Sequence, residues 1–185
     1  SCPNLKIISK FGVGLNNIDL DACKKRNIAI GWTGGVNKIS VAEMALGFML
    51  MLIRNLYSTS NELKNGNWNK SGGFHLSEKT VGIIGVGNTG KELVRLLKPF
   101  SCKILVNDII NQDKYYKKNN LEENSKKEVF INSDIVTIHT PYNHATNNMV
   151  NRKILKSMKK SAYLINTARG GIINEKDLKY ALQNN

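Results

Sequence analysis

Three cysteines, three prolines, three histidines and two tryptophans are all that 185 residues supply of these types. Cys2, Cys23 and Cys102 are odd in number and form no C-x-x-C pair, so neither a disulfide framework nor a zinc site is indicated. No metal is expected. Nothing resembles a signal peptide, and the most apolar run, 44–53, falls well short of the ~20 residues that span a bilayer. A reducing cytoplasm is expected, with no membrane partner. Acidic residues are also sparse, 14 against 27 Lys and Arg, which leaves a net charge of +13. The lysines are scattered among asparagines, without interleaved aromatics or a nucleic-acid motif. A solvated surface accounts for them better than nucleic acid, whose binding would be steeply salt-dependent. Attraction of an anionic substrate into a cleft fits the same charge. The length allows one domain and part of a second.

What is present centres on Val81-Gly82-Ile83-Ile84-Gly85-Val86-Gly87-Asn88-Thr89-Gly90. The apolar run reads as a buried parallel strand, the glycines as a tight turn, and Lys91-Glu92-Leu93-Val94-Arg95-Leu96-Leu97 as a helix. Gly85 permits the backbone reversal, Gly87 lets the main chain approach a pyrophosphate, and Gly90 lets the helix pack close. Free amides and the helix dipole favour a diphosphate at that point. A second apolar run, Lys103-Ile104-Leu105-Val106-Asn107, ends in Asp108. That carboxylate either closes a turn or accepts both ribose hydroxyls and repels a 2′-phosphate, which favours NAD over NADP.

Along the chain, a strand at Leu5-Lys6-Ile7-Ile8-Ser9 leads into a loop with Gly12 and Gly14. This loop is an ordinary turn or an amide nest for an anion. A short helix over 19–26, stopped by Asn27, precedes a strand at Ile28-Ala29-Ile30. Ser40-Val41-Ala42-Glu43 predicts a capping box opening a helix whose segment 44–53 is apolar on every side. Such a helix is either central to one core or buried in a subunit or interdomain contact. Residues 58–79 read as a polar connector, with a short helix near Glu62-Leu63, anchors in Trp68 and Phe74, and His75 on the surface. Segment 111–127 is polar, with helical character only over about 121–129. Further strands are expected over 133–138 and 162–166, a helix over 151–158, and a last helix opened in capping-box fashion by Asn174-Glu175-Lys176-Asp177. The expected fold is α/β: a Rossmann-type doubly wound parallel sheet with helices on both faces, preceded by a partial second domain. Arg169 follows a buried strand and should emerge at the ligand-binding edge, to pair with a surface carboxylate or to hold a substrate carboxylate in bidentate fashion.

Gly12-Val13-Gly14-x-x-Asn17-Ile18-Asp19, Asn37-x-x-Ser40-Val41-Ala42-Glu43, the turn from Gly85 to Gly90, His139-Thr140-Pro141 and Asn166-Thr167-Ala168-Arg169-Gly170-Gly171 occur in one fixed order. Together they resemble the D-isomer-specific 2-hydroxyacid dehydrogenases, phosphoglycerate dehydrogenase-like members above all, over nearly the whole chain. The resemblance implies an NAD-dependent oxidoreductase interconverting a D-2-hydroxy acid and its 2-keto acid, of 3-phosphoglycerate or hydroxypyruvate type. It implies cofactor contacts at Thr33, Gly85, Gly87, Asn88, Thr89, Gly90, Asp108, His139, Thr140, Pro141, Thr167, Ala168 and Arg169. Substrate would meet Val13, Gly14 and Arg169, with Arg169 in the catalytic role. The family's acid/base histidine and its glutamate would lie past Asn185, which makes the chain an internal fragment, inactive by itself. Residues 1–36 would end a substrate domain and 37–185 would form the NAD-binding domain. The resemblance also implies a homodimer through the 40–56 helix. Two departures are Thr33-Gly34, where the family has Thr-Pro, and Asn16, where it carries an acid. An alternative is an NAD-sensing corepressor-like interaction module on the same fold.

Overall fold

The computed structural model describes residues 2–184. Two parallel sheets form. Strand β1 (Ile7–Ser9) pairs with β2 (Ala29–Gly31) across helix α1 (Leu20–Lys25). Asp19 caps α1, its carboxylate accepting from the Ala22 amide at 2.8 Å, and Asn27 ends it in the left-handed region at φ 53°. Helix α2 (Lys38–Ile53) and helix α3 (Leu56–Lys64) follow.

The larger sheet holds β3 (Thr80–Ile84), β4 (Lys103–Asn107), β5 (Glu122–Glu123), β6 (Ile135–Ile138) and β7 (Tyr163–Asn166), all parallel, in the order β5-β4-β3-β6-β7. Between them run α4 (Asn88–Leu97), α5 (Asp113–Asn119), α6 (Lys126–Asn132) and α7 (Arg152–Ser157), and α8 (Glu175–Asn184) comes last. The expected doubly wound α/β sheet is what the chain forms. Strand alternation sorts the core into two layers. Val81, Ile83, Val106, Ile135 and Ile165 pack with Ala42, Ala45, Met49 and Ile53 of α2 and Leu93, Val94 and Leu97 of α4. Ile84, Leu105, Val136 and Ile138 face the other way, onto Val129 and Phe130 of α6. Asp134 ties the amino-terminal edge: one carboxylate oxygen accepts from the Thr80 amide and the other pairs with Lys159, each at 2.8 Å.

Several elements depart from the sequence expectations. Gly35, at φ 76°, reverses the chain early, so α2 starts at Lys38 behind Asn37, and Ser40 and Glu43 lie inside it rather than forming a capping box. Helix α2 is not enclosed on all sides. Ala42, Ala45, Met49 and Ile53 are buried, while Met44 is 55% exposed. Trp68 and Phe74 do not anchor the connector; Trp68 is 72% exposed and the Phe74 ring lies beneath Lys79 Nζ. The connector is tied instead by its backbone: the Phe74 amide donates to the Ile53 carbonyl and Arg54 Nε to the Gly72 carbonyl. Its helix, α3, is longer and begins earlier than expected. His75 is exposed, as expected, but faces Glu78 at 3.5 Å.

Where one helix is expected over 121–129, an edge strand and the start of α6 stand, and a further helix, α5, precedes them in the segment read as polar and non-helical. Asn120, at φ 53°, ends α5, and a full capping box of Ser125 and Glu128 opens α6. At α8 only half of the expected box forms. Asn174 Oδ1 accepts from the Asp177 amide, but the Asp177 carboxylate accepts from the Arg152 amide. Among the described residues no single helix is long and apolar enough to cross a membrane, and no group of His, Cys, Asp and Glu could hold a metal ion.

Candidate functional site

The strand order reverses between β3 and β6, so their carboxyl ends open a crevice, the place where doubly wound sheets take ligands. The turn after β3 is shaped by contacts that leave no room for side chains. Gly85 has φ 93°, and a Cβ on Gly90 would stand 2.3 Å from the Gly85 carbonyl oxygen. Gly87 differs: nothing lies within 4 Å of where its Cβ would be. No side chain caps α4, so the first-turn amides of Asn88, Thr89 and Gly90 are open to an anion.

Asp108 ends β4 beside this turn and braces it. One carboxylate oxygen accepts from the Val86 amide at 2.6 Å and the other from the Ile110 amide at 3.0 Å. Gln112 Nε2 donates to the Val86 carbonyl at 3.1 Å. The carboxylate is therefore fixed by the main chain, and each oxygen keeps a further lone pair for a hydroxyl.

A cavity of about 670 Å³ occupies the crevice. Its wall brings together Val13 and Gly14 from the β1–α1 loop, Asn88 and Thr89 from α4, and His139, Thr140 and Pro141 after β6. Thr167, Ala168 and Arg169, after β7, complete it. Gly85, Gly87, Gly90, Asp108 and Thr33 are not on this wall. Thr33 is exposed, and its neighbour Trp32 lines the cavity instead, with its indole N–H donating to the Val13 carbonyl at 2.9 Å. Asn16, noted in the sequence only as a departure from the family, lines it too, and so does Tyr142, which went unrecognised. Tyr142 follows the His-Thr-Pro motif directly, a placement that could have flagged it.

Arg169 is the one charged side chain among the cavity's lining residues. Its Nε–H donates to Asn16 Oδ1 at 3.2 Å and its Nη1 to the Ala168 carbonyl at 2.7 Å. No carboxylate pairs with it among the described residues. His139 is mostly buried, its Nε2 3.0 Å from Thr137 Oγ1, and burial pulls its pKa down to about 4. It is thus neutral at ordinary pH. Thr140 and Thr167 belong to the cavity wall, and their hydroxyls are buried with no hydrogen-bond partner among the described residues.

Comparison with known proteins agrees with this geometry. Residues 46–185 match the family model of the D-isomer specific 2-hydroxyacid dehydrogenase, NAD binding domain. The hydroxypyruvate reductase of Thermotoga maritima is 36% identical over 177 residues, 95% of this chain and 57% of that protein. The D-3-phosphoglycerate dehydrogenase of Methanocaldococcus jannaschii is 35% identical, over 97% of this chain and 35% of its own. Among solved structures, D-lactate dehydrogenase from Aquifex aeolicus, complexed with NAD and lactic acid, superposes with a TM-score of 0.89 at 32% identity. That match covers 98% of this chain and 55% of the other. The chain spans about half the length of the first of these relatives. With the match running from α2 to the last helix and the same fold in NAD-bound neighbours, the chain belongs to the D-isomer specific 2-hydroxyacid dehydrogenase family and carries its NAD-binding domain.

Proposed function

We propose that this chain is the cofactor-binding part of an NAD-dependent oxidoreductase that interconverts a D-2-hydroxy acid and its 2-keto acid. A 3-phosphoglycerate or hydroxypyruvate type of substrate is favoured by the names of two similar proteins, a hydroxypyruvate reductase and a D-3-phosphoglycerate dehydrogenase. The observation that carries the reading is a crevice with open helix amides at one side and a single guanidinium at the other. NAD, when bound, supplies the hydride acceptor. The open space above Gly87 and the two unpartnered threonine hydroxyls fit such a molecule. Gly85, Gly87, Asn88, Thr89 and Gly90 would receive its pyrophosphate and Asp108 its adenosine ribose. Thr33, His139, Thr140, Pro141, Thr167 and Ala168 would contact the rest. The Val13 and Gly14 amides and Arg169 would hold the acid, with Arg169 stabilising the charge that grows on the carbonyl oxygen.

The chain should bind NAD and turn over nothing by itself. His139 belongs to the loop after β6 and is mostly buried and neutral, and His75 and His144 are exposed and outside the cavity's lining, which supports that reading. Residues 1–36 then end a substrate domain and 37–185 form the cofactor domain, in keeping with the separate two-stranded sheet of β1 and β2. The names of the similar proteins give the corepressor-like alternative no support. Calorimetry tests the cofactor assignment: NAD should bind at least about tenfold more tightly than NADP, and Asp108→Ala should erase that preference. Equal affinities in the unaltered chain would end the assignment.

The same reading makes segment 40–56, which the structure divides between α2 and the start of α3, a homodimer contact. Half-exposed Ile39 and Met44 lie on α2, and half-exposed Leu56 and exposed Tyr57 open α3 beside it. Sedimentation should give two copies per particle, and Met44→Lys should yield monomers; a monomeric unaltered chain would refute it. A reducing cytoplasm is in keeping with three free cysteines.

A further inference from the structure

We infer that Asn16 is a positioning residue for Arg169, and that its neutrality keeps the guanidinium charge available to an anionic ligand. The inference rests on the reading above, in which Arg169 takes the substrate carboxylate.

Arg169 and Asn16 stand 153 residues apart, on the β7 loop and the β1–α1 loop. Among the described residues theirs is the one side-chain hydrogen bond between these two loops. The guanidinium is gripped by two neutral acceptors, Asn16 Oδ1 through Nε and the Ala168 carbonyl through Nη1. The Nη2 end lies over Gly14, where a Cβ would come within 1.8 Å of it and within 2.9 Å of Asn16 Oδ1. Any side chain at 14 would push the pair apart, so glycine there admits the fork as well as freeing the loop backbone. Two of the five N–H bonds are used for aiming, and those on Nη2 meet no protein acceptor among the described residues.

Neither of the two acids that follow Asn16 most closely in the chain pairs with Arg169 among the described residues. Asp19 accepts from the Ala22 amide, and Asp21 lies in the first turn of α1. Among the described residues no carboxylate lines the cavity, and no second cation does either. A carboxylate in place of the Asn16 amide, the residue type the resemblance places there, would keep the aim through Nε but would offset part of the guanidinium charge and compete with the incoming anion, so the departure to asparagine leaves more of that charge to the ligand in this chain. An amide gives direction without that competition.

The test uses the 185-residue chain saturated with NAD and oxamate, a non-reacting analogue carrying a carboxylate beside a carbonyl. Asn16→Asp should weaken oxamate at least about tenfold and flatten its salt dependence, because the local charge is neutralised. Asn16→Ala should weaken oxamate several-fold while the salt dependence persists. NAD affinity should stay within twofold in both. In ¹⁵N spectra, the Arg169 Nε–H resonance, assigned by its disappearance in Arg169→Lys, should be protected from exchange and lose protection in Asn16→Ala. Unchanged oxamate affinity and salt slope in Asn16→Asp would overturn the charge argument, and an unchanged Nε–H signal in Asn16→Ala would overturn the positioning role. Unchanged oxamate binding in Arg169→Ala, or none in the unaltered chain, would defeat the underlying substrate reading instead and the charge argument with it, while the Nε–H signal still decides the positioning role.

Discussion

Gly87 and Gly90 belong to one turn, yet the space around them assigns them different work. A methyl on Gly90 would collide with the Gly85 carbonyl, whereas one on Gly87 would meet nothing. Gly90→Ala should therefore lower stability by about 1–3 kcal/mol, as overpacked positions do. Gly87→Ala should melt like the unaltered chain but bind NAD at least about tenfold more weakly, because only the ligand contests that space. Thermal melts and calorimetry on the two variants separate these outcomes, and parallel behaviour would contradict the division. The turn was legible in the sequence because its glycines meet local demands, φ 93° at Gly85 and a close carbonyl at Gly90. The contacts made by Asn16 and Trp32 were not, since what each touches lies 153 and 19 residues away, and no local spacing encodes such a partner.

Helix α6 shows how an element is seated by a missing side chain. Gly82, inside β3, faces it, and a Cβ there would lie 2.3 Å from Ser133 Oγ and 2.6 Å from Val129 Cγ1. Gly82→Ala should destabilise the fold by about 1–3 kcal/mol in urea titration without altering the cavity on the carboxyl edge. A neutral effect would mean that α6 can slide outward at little cost. The strands were readable as apolar runs because both their faces are covered. Helix α5 escaped notice because Tyr116 alone is buried in it, too little to mark a periodic stripe. Ser125 and Glu128 went unread as a capping box, while Ser40 and Glu43 carry the same spacing without forming one. Spacing alone does not decide where a helix begins when a glycine just upstream turns the chain earlier.

For the molecule as a whole, buried His139 sets a pH dependence. Its folded pKa, pulled down to about 4 by burial, lies below the ordinary value of 6.5, so between these limits the unfolded chain binds the extra proton. Stability should be level above about pH 6.5 and fall by up to about 3 kcal/mol as pH drops toward 4. Asp134 acts lower still. Burial raises its pKa, but Lys159 and the Thr80 amide outweigh that and leave it below the usual 3.8, so its contribution is lost only at more acid pH. Urea midpoints at pH 5 and 7.5 check the slope, which His139→Gln should remove; an unaltered slope in the variant would assign it to other groups. One border of the large sheet is closed off by its own chemistry. Strand β5 is two glutamates long, one of them paired with Lys103 on the neighbouring strand. A foreign chain seeking to extend the sheet there finds too short a template and a charged fringe, which disfavours intermolecular pairing along that margin.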